Sequence, residues 1–166
     1  MSEYLQLDDL LQPLKNPFLL ILDGIEDPHN FGAILRTAEC VGIDGLIIRK
    51  NRQVQVTDTV IKVSTGAAKL VKIARVPNIA EVIRKLQNQA IKVIGLENSG
   101  AVEITAANLK LPIALVIGSE GKGISHLVKQ RCDSLVKIPM KGKISSLNAS
   151  VSAGVALYEV LRQNKI

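Results

Sequence analysis

The amino-acid sequence predicts an α/β fold: a mostly parallel six-stranded sheet with helices on both faces. Three observations carry that prediction. Short stretches rich in apolar residues recur at residues 18–22, 45–48, 71–76, 90–96, 113–117 and 135–138, the first of them a continuous apolar run. Strands buried on both faces read this way. Between most of the runs lie stretches whose apolar residues return every three or four positions, the spacing of helices laid on a sheet. Gly, Pro, Asn and Asp punctuate the joins.

Taken in order, residues 1–16 form a short helix with Leu5, Leu7, Leu10, Leu11 and Leu14, ended before Pro17. The first strand stops at Asp23-Gly24, and a polar loop, Ile25-Glu26-Asp27-Pro28-His29, follows. Asn30 caps a helix reaching Val41, with Phe31, Ile34, Leu35, Ala38 and Val41 as its core stripe and Gly42 as its stop. Beyond the second strand lies the basic loop Arg49-Lys50-Asn51-Arg52, then a short helix opened by Asp58. Pro77 closes the third strand. Asn78 with Glu81 three residues on is a capping-box-like start for a helix to residue 88. Glu97-Asn98-Ser99-Gly100 is turn chemistry after the fourth strand, with a short helix near 104–108. The glycine-rich loop 118–123 follows the fifth strand and leads into a helix at 124–130. Pro139 ends the sixth strand. The last helix spans 146–163, with Leu147, Val151, Val155, Tyr158 and Leu161 as its stripe. No repeat, low-complexity tract or linker divides the chain, so 1–166 reads as one domain.

A net charge of +6 points to an anionic partner, and RNA fits. With no Trp, two Tyr and two Phe, the chain lacks a base-stacking platform. Phosphate contacts and shape are then what hold RNA. No apolar run approaches the roughly 20 residues of a membrane span, and the acidic N-terminus lacks a signal pattern. The chain reads as cytoplasmic. Cys40 and Cys132 sit in apolar helical contexts with no metal-binding spacing, and read as buried reduced thiols with no metal site.

Three stretches, 30–36, 118–123 and 139–148, each follow the carboxyl end of a strand and point to one crevice. The chain lacks GxGxxG after its first strand. Ahead of Gly121-Lys122, Val116 stands where a Walker loop needs Gly. Glu120 is the carboxylate of the glycine loop, a ligand-facing group or a charge favoured by a helix N-terminus. Arg36 lies about 140° from Phe31 around its helix, off the core stripe. Gly32 and Ala33 one turn back leave room for a ligand; an ion pair with Glu39 is the alternative. Residues 136–154 combine a strand, a flexible basic loop, Ser145, Ser146 and Asn148 at a helix mouth, and small residues from Ala149 to Gly154. Tight packing explains the small residues, and so does a pocket with a subunit contact. Arg49, Lys50, Arg52, Lys141 and Lys143 are candidate phosphate contacts or solvated loop charges. His29 and His126 read as surface residues.

NFGAILRTAE (30–39), LVIGSEGKGIS (115–125) and IPMKGKISSLNASVSAG (138–154) resemble the three ordered motifs of the SpoU, or TrmH-like, RNA ribose 2′-O-methyltransferases of the SPOUT superfamily. The opening NPFLLILDGIEDPHNFGAILRTAE looks particularly like the bacterial enzymes that methylate a guanosine ribose in 23S ribosomal RNA. The resemblance implies a SPOUT fold with a C-terminal trefoil knot, S-adenosyl-L-methionine as cofactor, and a homodimer whose active site is completed across the interface. Gly118, Ile138 and Leu147 would hold the cofactor through backbone groups, with Met140 lining its adenine pocket. Arg36 would act as base or as electrostatic stabiliser. Asn30 and Glu120 would orient it or the ribose, and Ser146 and Asn148 would shape the rim. Many members carry an extra N-terminal RNA-binding domain. Only about 17 residues precede the first strand here, so no separate RNA-binding domain is expected. Methylation of transfer RNA and non-catalytic RNA binding are the competing readings.

Overall fold

The computed structural model describes residues 3–165. Its strands are β1 (Phe18–Asp23), β2 (Gly45–Arg49), β3 (Ile73–Val76), β4 (Lys92–Leu96), β5 (Val102–Glu103), β6 (Ile113–Gly118) and β7 (Ser134–Lys137). Every pairing is parallel, and the order is β3-β2-β1-β6-β4-β7-β5. The sheet therefore has seven strands, one more than the pattern predicts. The extra strand is β5, two exposed residues on the edge, too short to show any periodicity. The helices are α1 (Leu7–Leu11), α2 (Pro28–Val41), α3 (Asp58–Val63), α4 (Ile79–Asn88), α5 (His126–Arg131) and α6 (Ala149–Asn164). The helix expected near 104–108 is a single 3₁₀ turn, Ile104–Ala106.

The sheet divides the core in two because successive side chains on a strand point to opposite faces. Leu20, Leu22, Leu46, Ile48, Leu115 and Ile117 pack with α2 and α6 on one face. Leu19, Ile21, Ile47, Val93, Ala114 and Val116 pack with α1, α4 and α5 on the other. Each fully buried Leu or Ile stabilises by about 1.5–3 kcal/mol relative to an exposed one. The longest register, Phe18↔Ile113 to Asp23↔Gly118, joins β1 to β6. The chain runs outward through β2 and β3 on one side of that seam, and β4, β7 and β5 lie on the other. At such a reversal the loops beyond the carboxyl ends splay apart and leave a crevice.

Several local readings need correction. Asn30 does not cap α2. Asp27 does, its Oδ1 accepting from His29 N at 2.8 Å, and Pro28 takes the first helical position, where it has no N–H to lose. Thr57 rather than Asp58 caps α3. The N-terminal helix shrinks to α1, while Leu5 bridges to Ala74 at the sheet edge. Residues 1 and 2, part of the predicted helix, lie outside the described residues. The final helix starts at Ala149, with Asn148 as its cap, and not at residue 146. Its buried face is Ala149, Ala153, Ala156, Leu157 and Val160, while Val151, Val155 and Tyr158 are exposed. Three of the five residues expected in the core stripe thus face outward, because small alanines fit against α2 and the sheet better than bulky residues do, while Leu161 packs against the core. Cys40 is exposed, and Cys132 half-buried. Among the described residues no helix is long and apolar enough to cross a membrane.

Candidate active site

Gly118 ends β6 where the chain must turn sharply back. A Cβ added there would lie 2.2 Å from the carbonyl carbon of Gly123 and 2.3 Å from Ile124 N. No side chain fits. The turn closes with Gly123 N donating to Ser119 O at 2.8 Å. Gly121 and Gly123 take φ of 50° and 66°, which glycine adopts at little cost. Beneath the loop, buried Asp23 at the end of β1 accepts from both Ser125 N and Ser125 Oγ at 2.8 Å.

The loop presents Glu120 to the start of α6. Its Oε1 accepts from Ala149 N at 2.9 Å and from Asn148 Nδ2 at 2.6 Å. Asn148 Nδ2 also donates to Asn30 Oδ1 at 3.1 Å. Its Oδ1 caps α6 by accepting from Ser150 N at 2.9 Å and Val151 N at 3.3 Å. One residue from each of the three stretches thus meets in one network. Beside it opens a cleft of about 400 Å³, within the size range of small-molecule sites. Leu96, Ile117 and Leu147 give it apolar walls. Gly118, Gly121 and Gly123 supply bare backbone, and Glu97, Asn98, Lys122, Ser145, Ser146 and Ser152 supply polar groups. Asn98 Nδ2 donates to Ser145 O at 3.1 Å, tying the loop after β4 to the loop before α6.

The expected site residues divide. Gly118, Glu120, Ser146 and Leu147 line the cleft, and Asn30 and Asn148 join it through the network. Ile138 is half-buried and packs against the core. Met140 is half-buried outside the cleft lining. Arg36 is exposed, and among the described residues it forms no ion pair with Glu39. Gly32 does not leave room for a ligand. It is small because Val63 of α3 sits on it, with an added Cβ only 2.6 Å from Val63 Cγ1. Arg49 is not a loop charge but the last residue of β2, its Nε 3.6 Å from Asp23 Oδ1. Lys50, Arg52, Lys141 and Lys143 are exposed. The thiol of Cys132 is pushed up to about 12, first by burial and then by Asp133 and Asp23, so at neutral pH it is a protonated packing group.

The SpoU rRNA Methylase family model matches residues 17–158. The chain belongs to the SpoU rRNA methylase family. It is 48% identical over 165 residues to YacO of Bacillus subtilis, covering 97% of this chain and 66% of that protein. It is 45% identical over 159 residues to the 23S rRNA (guanosine-2′-O-)-methyltransferase RlmB of Shewanella oneidensis, covering 96% of this chain and 65% of RlmB. Among solved structures it resembles the SpoU methyltransferase AviRb of Streptomyces viridochromogenes in complex with AdoMet. The TM-score is 0.87 at 31% identity, over 97% of this chain and 65% of AviRb. The chain spans just under two thirds of the length of the curated relatives it matches, 66% and 65% for these two.

Two groups escaped the sequence reading. Glu97 lines the cleft but reads in sequence as part of a polar turn. Asp23 is buried at the end of β1, and nothing local distinguishes it from the turn residue that Asp23-Gly24 suggests. Its partner Ser125 is 102 positions away.

Proposed function

We propose that the chain is an S-adenosylmethionine-dependent methyltransferase acting on a ribose 2′-hydroxyl of RNA, with ribosomal RNA as the substrate. The observation that carries the proposal is the joining of Asn30, Glu120 and Asn148 beside the cleft bounded by Gly118 and Leu147. The cleft fits the cofactor in kind. Its apolar walls suit a purine, its backbone groups suit close approach, and its carboxylates suit hydroxyl, amino or cationic groups. When bound, S-adenosylmethionine supplies an electrophilic methyl group. The chain's task is to aim the ribose oxygen and to favour its loss of a proton. Arg36 is exposed and carries no carboxylate partner among the described residues. A guanidinium offers five N–H donors and no acceptor atom. Its role is electrostatic: it stabilises charge developing on the ribose oxygen, while Asn30, Ser146 and Asn148 hold the ribose at the rim.

The outer face of α6 supports a homodimer, with Val151 50%, Val155 40% and Tyr158 51% exposed along one stripe. That arrangement lets a second copy complete the site around Arg36. A C-terminal knot is proposed from the motif resemblance and from the close passage of β7 under the loop after β4, where a Cβ on Gly100 would lie 2.8 Å from the Val136 carbonyl carbon. Lys50, Arg52, Lys141 and Lys143 are the proposed phosphate contacts, and the cytoplasm is the proposed location. The likeness to RlmB supports ribosomal RNA as the substrate. Transfer RNA is the second reading, since YacO bears the name of a TrmH family tRNA/rRNA methyltransferase.

The test is Arg36→Ala. It should abolish methyl transfer to RNA, scored with tritiated cofactor, and leave cofactor binding by calorimetry within a few-fold. Turnover like wild type would remove Arg36 from the mechanism. Mapping 2′-O-methyl positions in total RNA with and without the protein would identify the substrate.

A further inference from the structure

We propose that Glu97 is a specificity-determining residue of the cleft, taking a hydrogen bond from a ribose hydroxyl of the bound nucleoside cofactor. The inference rests on the methyltransferase reading and goes beyond it in naming the residue and the ligand group. Glu97 follows the carboxyl end of β4 and lines the cleft opposite the loop 118–123. Its carboxylate lies against Gly123, where an added Cβ would be 3.1 Å from Oε2 and 3.5 Å from Oε1. Only 16% of the side chain is exposed. Oε2 is fully covered and, among the described residues, accepts no hydrogen bond. Lys129 Nζ, at 3.5 Å, balances its charge without reaching it.

Two other polar groups nearby are already engaged. Glu120 Oε1 is bonded to Asn148 and Ala149, and Asn98 Nδ2 to Ser145 O. Glu97 is therefore the carboxylate of the cleft that the protein leaves without a donor. A mostly buried acceptor without a donor is costly, and a ligand that supplies one recovers the cost. The chemistry selects the ligand group. An ammonium would meet Lys129 beside the carboxylate, whereas a neutral hydroxyl meets no such repulsion. A carboxylate beyond a parallel strand and beside a glycine loop is also how nucleotide-binding sheets hold ribose hydroxyls.

Calorimetry with three ligands decides it: S-adenosylhomocysteine, its 2′,3′-dideoxy analogue and its 6-deamino analogue. Wild type should bind the dideoxy form about tenfold more weakly than the parent, the worth of one charge-assisted hydrogen bond. Glu97→Ala should bind the parent about tenfold more weakly and no longer distinguish the two. Glu97→Gln keeps the volume and one acceptor, which guards against misfolding of the alanine variant, and should retain a reduced preference. Full hydroxyl discrimination in both variants overturns the proposal. So does a preference that Glu97→Ala loses only against the deamino analogue, which would make the adenine amine the donor. Wild type that binds neither S-adenosylmethionine nor S-adenosylhomocysteine would overturn the methyltransferase reading along with it.

Discussion

The two ends of α6 are both held by polar side chains, yet they are built for different purposes. At its start, Asn148 caps the helix and spends its amide on Glu120 and Asn30. All three side chains belong to the surface or its margin, and two of the bonds link one side chain to another. At its finish, Gln163 and Asn164 clasp the backbone of residues 107–111. Gln163 accepts from Leu109 N at 2.9 Å and donates to Ala107 O at 3.0 Å. Asn164 accepts from Leu111 N at 3.0 Å and donates to Leu109 O at 2.9 Å. Backbone groups in a packed segment must be satisfied, and here no sheet or helix ladder does it. The finish of the helix therefore serves folding. The start orders side chains that water would satisfy equally well, so the arrangement there serves position more than stability.

The largest effect expected from breaking this contrast is at the start. Glu120→Ala frees Asn148 and unties the glycine loop from α6. Methyl transfer should fall by about a hundredfold or more, the scale seen when a positioned polar group is lost from an active site. Unfolding in urea should shift by about 1 kcal/mol, because the Ala149 N–H loses its acceptor while Asn148 keeps its capping bonds. A variant that is strongly destabilised but still active per folded molecule would reverse the roles given to the two ends.

Next in size are changes at the finish. Gln163→Ala strips two bonds to backbone and Asn164→Ala three, one of them to Val160 O, and each should cost about 1–3 kcal/mol in urea unfolding through the groups left unpaired. Activity per folded molecule and cofactor affinity should stay at wild-type values. Loss of methyl transfer without loss of stability would show that α6 transmits strain from one end to the other.

What the sequence reveals follows the same division. The parallel sheet was legible because its central strands β1 and β6 are buried on both faces and read as plain apolar runs. The three candidate stretches were legible because each follows a strand end, and the bonds among Asn30, Glu120 and Asn148 join them. The phase of α6 was not legible. Its core face is mostly alanine, so ranking residues by hydrophobicity selects Val151, Val155 and Tyr158, which are exposed. Asp27-Pro28 carried the start signal of α2 in plain view, but Asn30 is an equally good cap residue by type. The Gln163 and Asn164 clasp joins residues more than fifty positions apart, and no local pattern encodes it.

The smallest effect expected separates the two ends by pH. Glu159, one turn before the clasp, accepts from Arg162 Nε at 2.6 Å and Arg162 Nη2 at 3.0 Å, and from Gln163 Nε2 at 3.3 Å. The bond from Arg162 holds its carboxyl below the ordinary value of 4.5, against the opposing pull of burial. A carboxyl that titrates lower when folded takes up its proton more readily in the unfolded chain. Its contribution to stability is therefore full above the ordinary value and is lost as pH falls through the folded one. Arg162 is exposed, and water screens the pair, so the contribution is small. Wild type should lose stability more steeply than Glu159→Gln between about pH 5 and pH 3, and the two curves should run parallel above that window. Parallel curves throughout would mean that Arg162 and Gln163 do nothing for the ionised carboxylate, and the clasp would then rest on its four amide bonds alone.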